Sequence, residues 1–312
     1  MRFLAVAAVI GQGGIVVTGS VVRVTSSGLG CPTWPQCFPR SLVPEPHPEI
    51  AALTQWVEFG NRLLTVALVV VAAACLLAAL ARRPRHRRLV WLAAAMPLGV
   101  VVQVVLGGIT VLAGLAWYSV ALHFLVSMPL VWLAVLLVRE SSPAALDAPP
   151  GTGHCVVVVP AVRGLLAATV AVLAVLLAAG TLVSSAGPHA GDAATPRLAR
   201  WDTETLSMVH AHVLFAFLGL LVGLGFLLHA TGAPRTAFVR FRLLVAVTLA
   251  QGALGGLQYS LGVPEVLVAL HVLGAVLTVA ATAALWAATA APVAGAAPAP
   301  RVVTAPGVAV RA

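Results

Sequence analysis

Three histidines in this chain occupy places where a titratable side chain is expensive. His123, His210 and His271 each lie about five residues inside the same end of an apolar run long enough to cross a membrane. An ionisable group in hydrocarbon is costly and is a functional candidate by default. At about 1.5 Å per residue, the three share one depth. His210 and His271 fall on spans of one helical group, so they can face each other. Two opposed imidazoles in a helical bundle are the axial set of a heme. The plainer alternative is a pair of core histidines bonded to backbone or to each other. Zinc would need a third or fourth close ligand. His212, two residues from His210, points to another face. His47, His86, His154 and His229 fall in loops or at helix ends, as solvated histidines do.

His123 lacks a histidine partner. At its expected counterpart the chain reads "EFGNR", residues 58–62, and offers Asn61, a poor ligand for iron. Glu58 precedes it by three residues and so shares its helix face. One site is thus a closed two-histidine pair. The other is an open site with one histidine, an amide and a carboxylate, able to exchange a substrate. Glu58 can accept protons or stabilise a developing cation there; the alternative is a helix-start residue favoured by the N-terminal dipole. Arg23 and Arg62 suit bidentate pairing with heme propionates, or else snorkel to headgroups. Gln103 and Gln251 either bond an axial histidine or tie neighbouring helices. His189 and Asp192 are expected on an outer loop, with a structural role favoured over a proton or electron relay.

The stretch "CPTWPQC", 31–37, sets Cys31 and Cys37 in a proline-stiffened turn. In an oxidising compartment such a pair can close a disulfide; otherwise both are free thiols. Cys75 and Cys155 are expected to be inert.

The elements that must position these groups are transmembrane helices. The chain is 312 residues long, 61% hydrophobic and 9% charged, which no water-soluble domain of this size matches. Eight spans are expected, at about 2–21, 57–80, 89–112, 118–138, 162–183, 204–228, 242–261 and 266–288. The formal charge of +9 comes from arginine alone, beside helix ends, which favours a topology-setting role over a nucleic-acid one. "ARRPRHRR" (81–88) is expected in the cytoplasm, with both termini, and thirteen of the eighteen arginines then fall inside. Loop 22–56, with its cysteines, falls outside.

The chain also repeats itself. "QVVLGGITVLAGLAWYSVALH" (103–123) and "QGALGGLQYSLGVPEVLVALH" (251–271) share Gln, LGG and VALH in one spacing, and "TSSGLG" (25–30) echoes "VSSAGPHAG" (183–191). The expected fold is therefore an all-α integral membrane protein of two four-helix bundles related by a pseudo-twofold axis along the membrane normal. Residues 1–140 form the first half, with loop 22–56 capping it. A cytoplasmic linker follows at 141–161, a second half at 162–290 and a disordered tail at 291–312.

Taken together, "RVTSSGLGCPTWPQC" (23–37), "EFGNRLLT" (58–65), "QVVLGGITV" (103–111), "ALH" (121–123), "SSAGPHAGD" (184–192), "MVHAH" (208–212) and "GGLQYSLGVP…ALH" (255–271) resemble the heme A synthase family. The resemblance implies oxidation of the C8 methyl of heme O to a formyl group, with oxygen from water, for cytochrome oxidase. It implies a low-spin heme b cofactor on His210 and His271, and entry of heme O near Glu58 and His123. Heme O synthase, oxidase assembly factors and the bilayer of a bacterial plasma membrane are the implied partners, and an oligomer is compatible with it. Many members carry "EXXHR" where this chain has Asn61, which is consistent with a substrate heme held on one side, by His123. The rival functions are a di-heme electron-transfer protein without substrate chemistry and a small-molecule transporter.

Overall fold

The structure is a computed structural model that describes residues 1–147, 154–190, 198 and 201–292. Eight long helices run back and forth: α1 (Arg2–Val24), α2 (Ala52–Ala81), α3 (Arg87–Leu112), α4 (Trp117–Glu140), α6 (Pro160–Ala186), α7 (Thr203–Ala230), α8 (Arg235–Ser260) and α9 (Glu265–Ala288). Each is long and apolar enough to cross a bilayer. Ile10, Val70, Leu98, Phe226 and Val266 stand exposed, the reverse of a surface made for water. The short α5 (Pro143–Leu146) and the strands β1 (His154–Val156) and β2 (Ala290–Pro292) complete the described elements.

Helix ends depart from the expected spans in an instructive way. Two helices begin earlier than hydropathy suggests: α2 at Ala52 rather than near 57, and α8 at Arg235 rather than near 242. Apolar content marks where hydrocarbon begins, whereas a helix continues until its backbone meets a breaker. Glu58 is consequently not a helix-start residue; it lies well inside the helix, beyond its first turn. By contrast, α7 starts where a cap fixes it. Asp202 accepts the Thr205 N–H at 2.7 Å and the Thr205 hydroxyl at 2.8 Å. The same bonds hold the Asp202 carboxyl below its ordinary pKa.

Helices α1 to α4 pack as a closed ring, each on the next, with α4 returning to α1. Small residues allow the close approach: a Cβ on Gly11 would lie 2.8 Å from Leu68 Cδ1, and one on Gly99 would lie 2.2 Å from Leu130 Cδ2. The second group differs from the like bundle expected of it. It is two tight pairs, α6 with α7 and α8 with α9, and α7 touches α8 sparingly. Between those two lies an apolar groove of about 690 Å³ lined by Leu218, Phe226, Phe238 and Leu249. The groups join through α9, which packs on α1 and α4; Val276 lies where a Cβ on Gly13 would stand at 2.9 Å. These helix contacts are consistent with the two-group arrangement.

The sequence repeat reappears in backbone detail. After α3, Gly114 and Leu115 take φ of 60° and 59°; after α8, Gly262 and Val263 take 75° and 63°. Leu115 N–H reaches the Thr110 carbonyl at 2.9 Å, and Val263 N–H reaches that of Gln258 at 2.8 Å. Only glycine adopts this region without strain, so Leu115 and Val263 are there because the turn dictates it.

The expected linker has structure of its own. β1 pairs with β2 in antiparallel register, Cys155 opposite Ala291. Of the expected tail, Ala291 and Pro292 belong to β2; the remainder, 293–312, lies outside the described residues.

At the other end, the loop from Thr25 to Ala51 lies on α2. Its backbone passes so close that a Cβ on Gly30 would sit 2.4 Å from the Thr54 carbonyl oxygen. Because the obstacle is backbone, Gly30→Ala is expected to cost about 1–3 kcal/mol by overpacking. Thermal unfolding should show a lowered midpoint, whereas Gly14→Ala, with nothing within 4 Å of its added Cβ, should leave it unchanged or slightly raised.

Candidate functional site

The loop end of the first group is organised by one ion pair. Glu58, 5% exposed, meets Arg62 one turn on, with Oε1 2.5 Å from Nη2 and 3.1 Å from Nε. Its other oxygen accepts the Cys31 N–H at 2.8 Å. Arg62 in turn donates to the carbonyls of Cys31 at 2.9 Å, Thr33 at 3.0 Å and Gln36 at 3.1 Å, and reaches that of Pro35 at 3.5 Å. The planar fork of donors suits this one-to-many role, which a lysine would not fill. Cys31 and Cys37 are joined by a disulfide and buried beside Phe38, Ile50 and Phe59. The loop is thus a small core of its own, clamped to α2 by Glu58 and Arg62.

Trp34 projects from this loop onto α3. A Cβ on Gly108 would lie 2.6 Å from Trp34 Cδ2, so the indole rests directly on the glycine. The neighbouring Gly107 bears the His123 ring: a Cβ there would lie 3.4 Å from His123 Cε1. Trp34 and His123 therefore lie against adjacent glycines of the LGG run. Sequence reading missed Trp34, although its place between two prolines inside the cysteine pair was a signal. At the repeated position, Gly256 has nothing within 4 Å.

Asn61 is engaged by α1. The Thr18 hydroxyl of α1 donates to its Oδ1 at 2.7 Å, and no hydrogen bond joins His123 to Asn61, Glu58 or Arg62. His123 Nδ1 is buried without a partner. Arg23 crosses to the second group, donating to the carbonyls of Ser184 at 2.9 Å and Ala190 at 3.3 Å.

In the second group, His210 of α7 and His271 of α9 do meet. Their ring centroids are 6.3 Å apart with planes at 64°. Each rests on a glycine, His210 against Gly180 and His271 against Gly255, where a Cβ would stand 3.1 and 3.0 Å from the respective Cε1. Both Nδ1 atoms are buried without partners. The Gln251 amide donates to the His271 carbonyl at 2.7 Å, and Gln103 to that of His123 at 3.3 Å. Both glutamines therefore tie helices through the histidine backbone. His212 lies apart, with Nδ1 2.7 Å from the Met208 carbonyl. His189 Nε2 lies 2.9 Å from the Val263 carbonyl, pinning the loop after α6 to the α8–α9 turn; Asp192 lies outside the described residues.

Two imidazoles at this spacing leave room for one metal atom between them. Two metal–nitrogen bonds of about 2 Å each, together with the two half-rings, fill the observed separation. Among the described residues no group of three or more His, Cys, Asp or Glu could hold a metal ion. The donor set therefore fits a metal whose other ligands come from a macrocycle, rather than zinc.

Comparison with known proteins agrees with this architecture. The COX15-CtaA family, described as cytochrome oxidase assembly protein, matches residues 2–282. A heme A synthase of Geobacillus kaustophilus is 32% identical over 112 residues, 35% of this chain and 32% of its own length. One from Lysinibacillus sphaericus is 33% identical over 139 residues, 44% of this chain and 43% of its own. The alignments thus cover less than half the length of these curated relatives. The family match, by contrast, runs through all eight long helices, and on it this chain belongs to the COX15-CtaA family of cytochrome oxidase assembly proteins.

Proposed function

We propose that the chain is a heme A synthase, oxidising the C8 methyl of heme O to a formyl group with oxygen from water, and that it carries heme b as cofactor. The observation that carries the reading is the contrast between two histidine sites. His210 and His271 stand opposed at 6.3 Å, whereas the repeat counterpart of His271, His123, pairs with no histidine ring among the described residues. A closed pair suits a resident cofactor; a one-sided site suits a substrate that must enter and leave. That contrast disfavours a di-heme electron carrier, in which both sites would be closed. The first half, 1–140, is then the substrate half and the second, 162–290, the cofactor half. The loop with the disulfide lies on the outer face of a bacterial plasma membrane, and both termini lie in the cytoplasm.

Bound heme b supplies one-electron redox chemistry at the second site. This chain's residues do the remainder. His210 and His271 would hold the cofactor, and Gly180 and Gly255 leave room for their imidazole rings. His123 binds substrate iron from one side. Trp34, lying on Gly108, covers the outer mouth and keeps water from entering freely. Replacing a methyl by an aldehyde through water releases electrons and protons together, so the site needs a proton acceptor. Glu58 is the acid on α2 nearest in sequence to that mouth, and its charge is balanced by Arg62. A second reading rests on one observation: both carboxylate oxygens are engaged, one by the loop and one by Arg62. On it, Glu58 is a clamp that positions the loop.

The general test is extraction and chromatography of hemes from cells expressing the chain with a heme O source. Heme A should appear; heme O alone would reject the activity. For the sites, His210→Ala and His271→Ala should each abolish stable heme b binding, while His123→Ala should retain it. Equal loss in all three would reject assignment of the cofactor to the second half.

Glu58→Gln separates the readings of Glu58. The amide oxygen can still accept the Cys31 N–H, so the loop should stay in place. If the carboxylate takes the proton, heme b spectra stay normal while heme A yield falls about 10²–10⁴-fold. Normal heme A yield with a lowered melting temperature would make it a clamp alone.

A further inference from the structure

At the arginine-rich end, opposite the disulfide loop, three guanidiniums converge where the two helical groups meet. Arg88 comes from the start of α3, Arg139 from the end of α4 and Arg163 from the start of α6. With Trp286, they line a polar pocket of about 170 Å³. Two of them are fixed by the end of α9. Arg139 donates to the carbonyls of Ala287 and Ala290. Arg163 donates to the Trp286 carbonyl at 3.0 Å and to the Thr289 hydroxyl, and its guanidinium carbon lies 3.3 Å over the Trp286 ring. The remaining carbonyls of a helix C-terminus account for part of this, since cations are favoured there.

They do not account for all of it. A guanidinium has five N–H donors, and Arg139 and Arg163 each direct two at α9. Among the described residues, the carboxylate of Glu140 lies 3.3 Å from Arg88 Nε. Arg139 and Arg163 are held rigidly with donors in excess, around a pocket that lies at the level of the helix ends. Like charges this close repel, and an anion with several acceptor oxygens relieves the repulsion. Guanidiniums recognise phosphate by paired N–H···O bonds. Lipid phosphates lie at helix ends, and anionic headgroups are drawn to arginines placed there.

We propose that this pocket binds a phosphate group, presented by an anionic phospholipid, which ties the first helical group to the second through Arg88, Arg139 and Arg163. The site is separate from the histidine sites, at the other end of the helices. The proposal does not depend on the chemistry assigned to them.

The test is thermal unfolding of the purified full-length protein in neutral detergent, with phosphatidylglycerol, phosphatidylcholine or inorganic phosphate added. Phosphatidylglycerol should raise the melting temperature by about 5 °C at saturation, and phosphatidylcholine by much less. A rise with millimolar inorganic phosphate alone, absent with phosphatidylglycerol, would assign the pocket to free phosphate. Arg163→Gln should abolish the rise. Arg88→Gln is the second variant, because it leaves the α9 contacts intact and its amide can still reach Glu140; it should at least halve the rise. Equal stabilisation by both lipids, or an undiminished phosphatidylglycerol effect in Arg88→Gln, would overturn the proposal.

Discussion

Polar groups inside a bilayer have no water to turn to, and that constraint orders this molecule. The Glu58–Arg62 pair is its clearest expression. A carboxylate and a guanidinium well inside α2 are tolerated because each satisfies the other and together they saturate the backbone of the disulfide loop. Arginines resolve the same problem elsewhere by reaching carbonyls across the groups. Arg23 does so at the loop end, and Arg139 and Arg163 at the other. Against this background the core histidines stand out. Their Nδ1 atoms are buried and unbonded, which a finished protein core rarely leaves so.

The two groups share several local details. Matching glycines carry His123 and His271, matching glutamines hold the histidine backbone, and matching left-handed turns follow α3 and α8. What differs is closure. The first group is a ring with its loop end covered by Trp34 and the disulfide loop. The second is two pairs that part along α7 and α8, with Gly256 open where Gly108 is covered. On the proposed function, the second would grip a resident group and the first would admit a visiting one.

Much of this was legible from residue types and spacing. Apolar run lengths located all eight long helices, because hydrocarbon thickness fixes their length. Position within their spans put His210 and His271 at one depth, and the structure brings their rings to 6.3 Å, edge to face. The pairing of Cys31 with Cys37 was one of two open readings, and the structure forms it. Other features were hidden because they depend on three-dimensional contact. Hydropathy could not see that α2 begins at Ala52, so Glu58 read as a possible helix start. Arg62 and Arg23 read either as heme partners or as snorkelling residues, and their bonds to loop carbonyls were hidden because they depend on how the loops fold. The clasp of β1 with β2 joins segments far apart in the chain, in regions with no strand pattern long enough to notice.

The central claim is that the opposed pair in the second group holds a heme from both sides. Electron paramagnetic resonance of the oxidised, purified protein tests it most directly. The account predicts a low-spin ferric heme signal in the wild type, absent from His210→Ala and His271→Ala preparations. A signal that is solely high-spin, or a low-spin signal that survives either substitution, would contradict it.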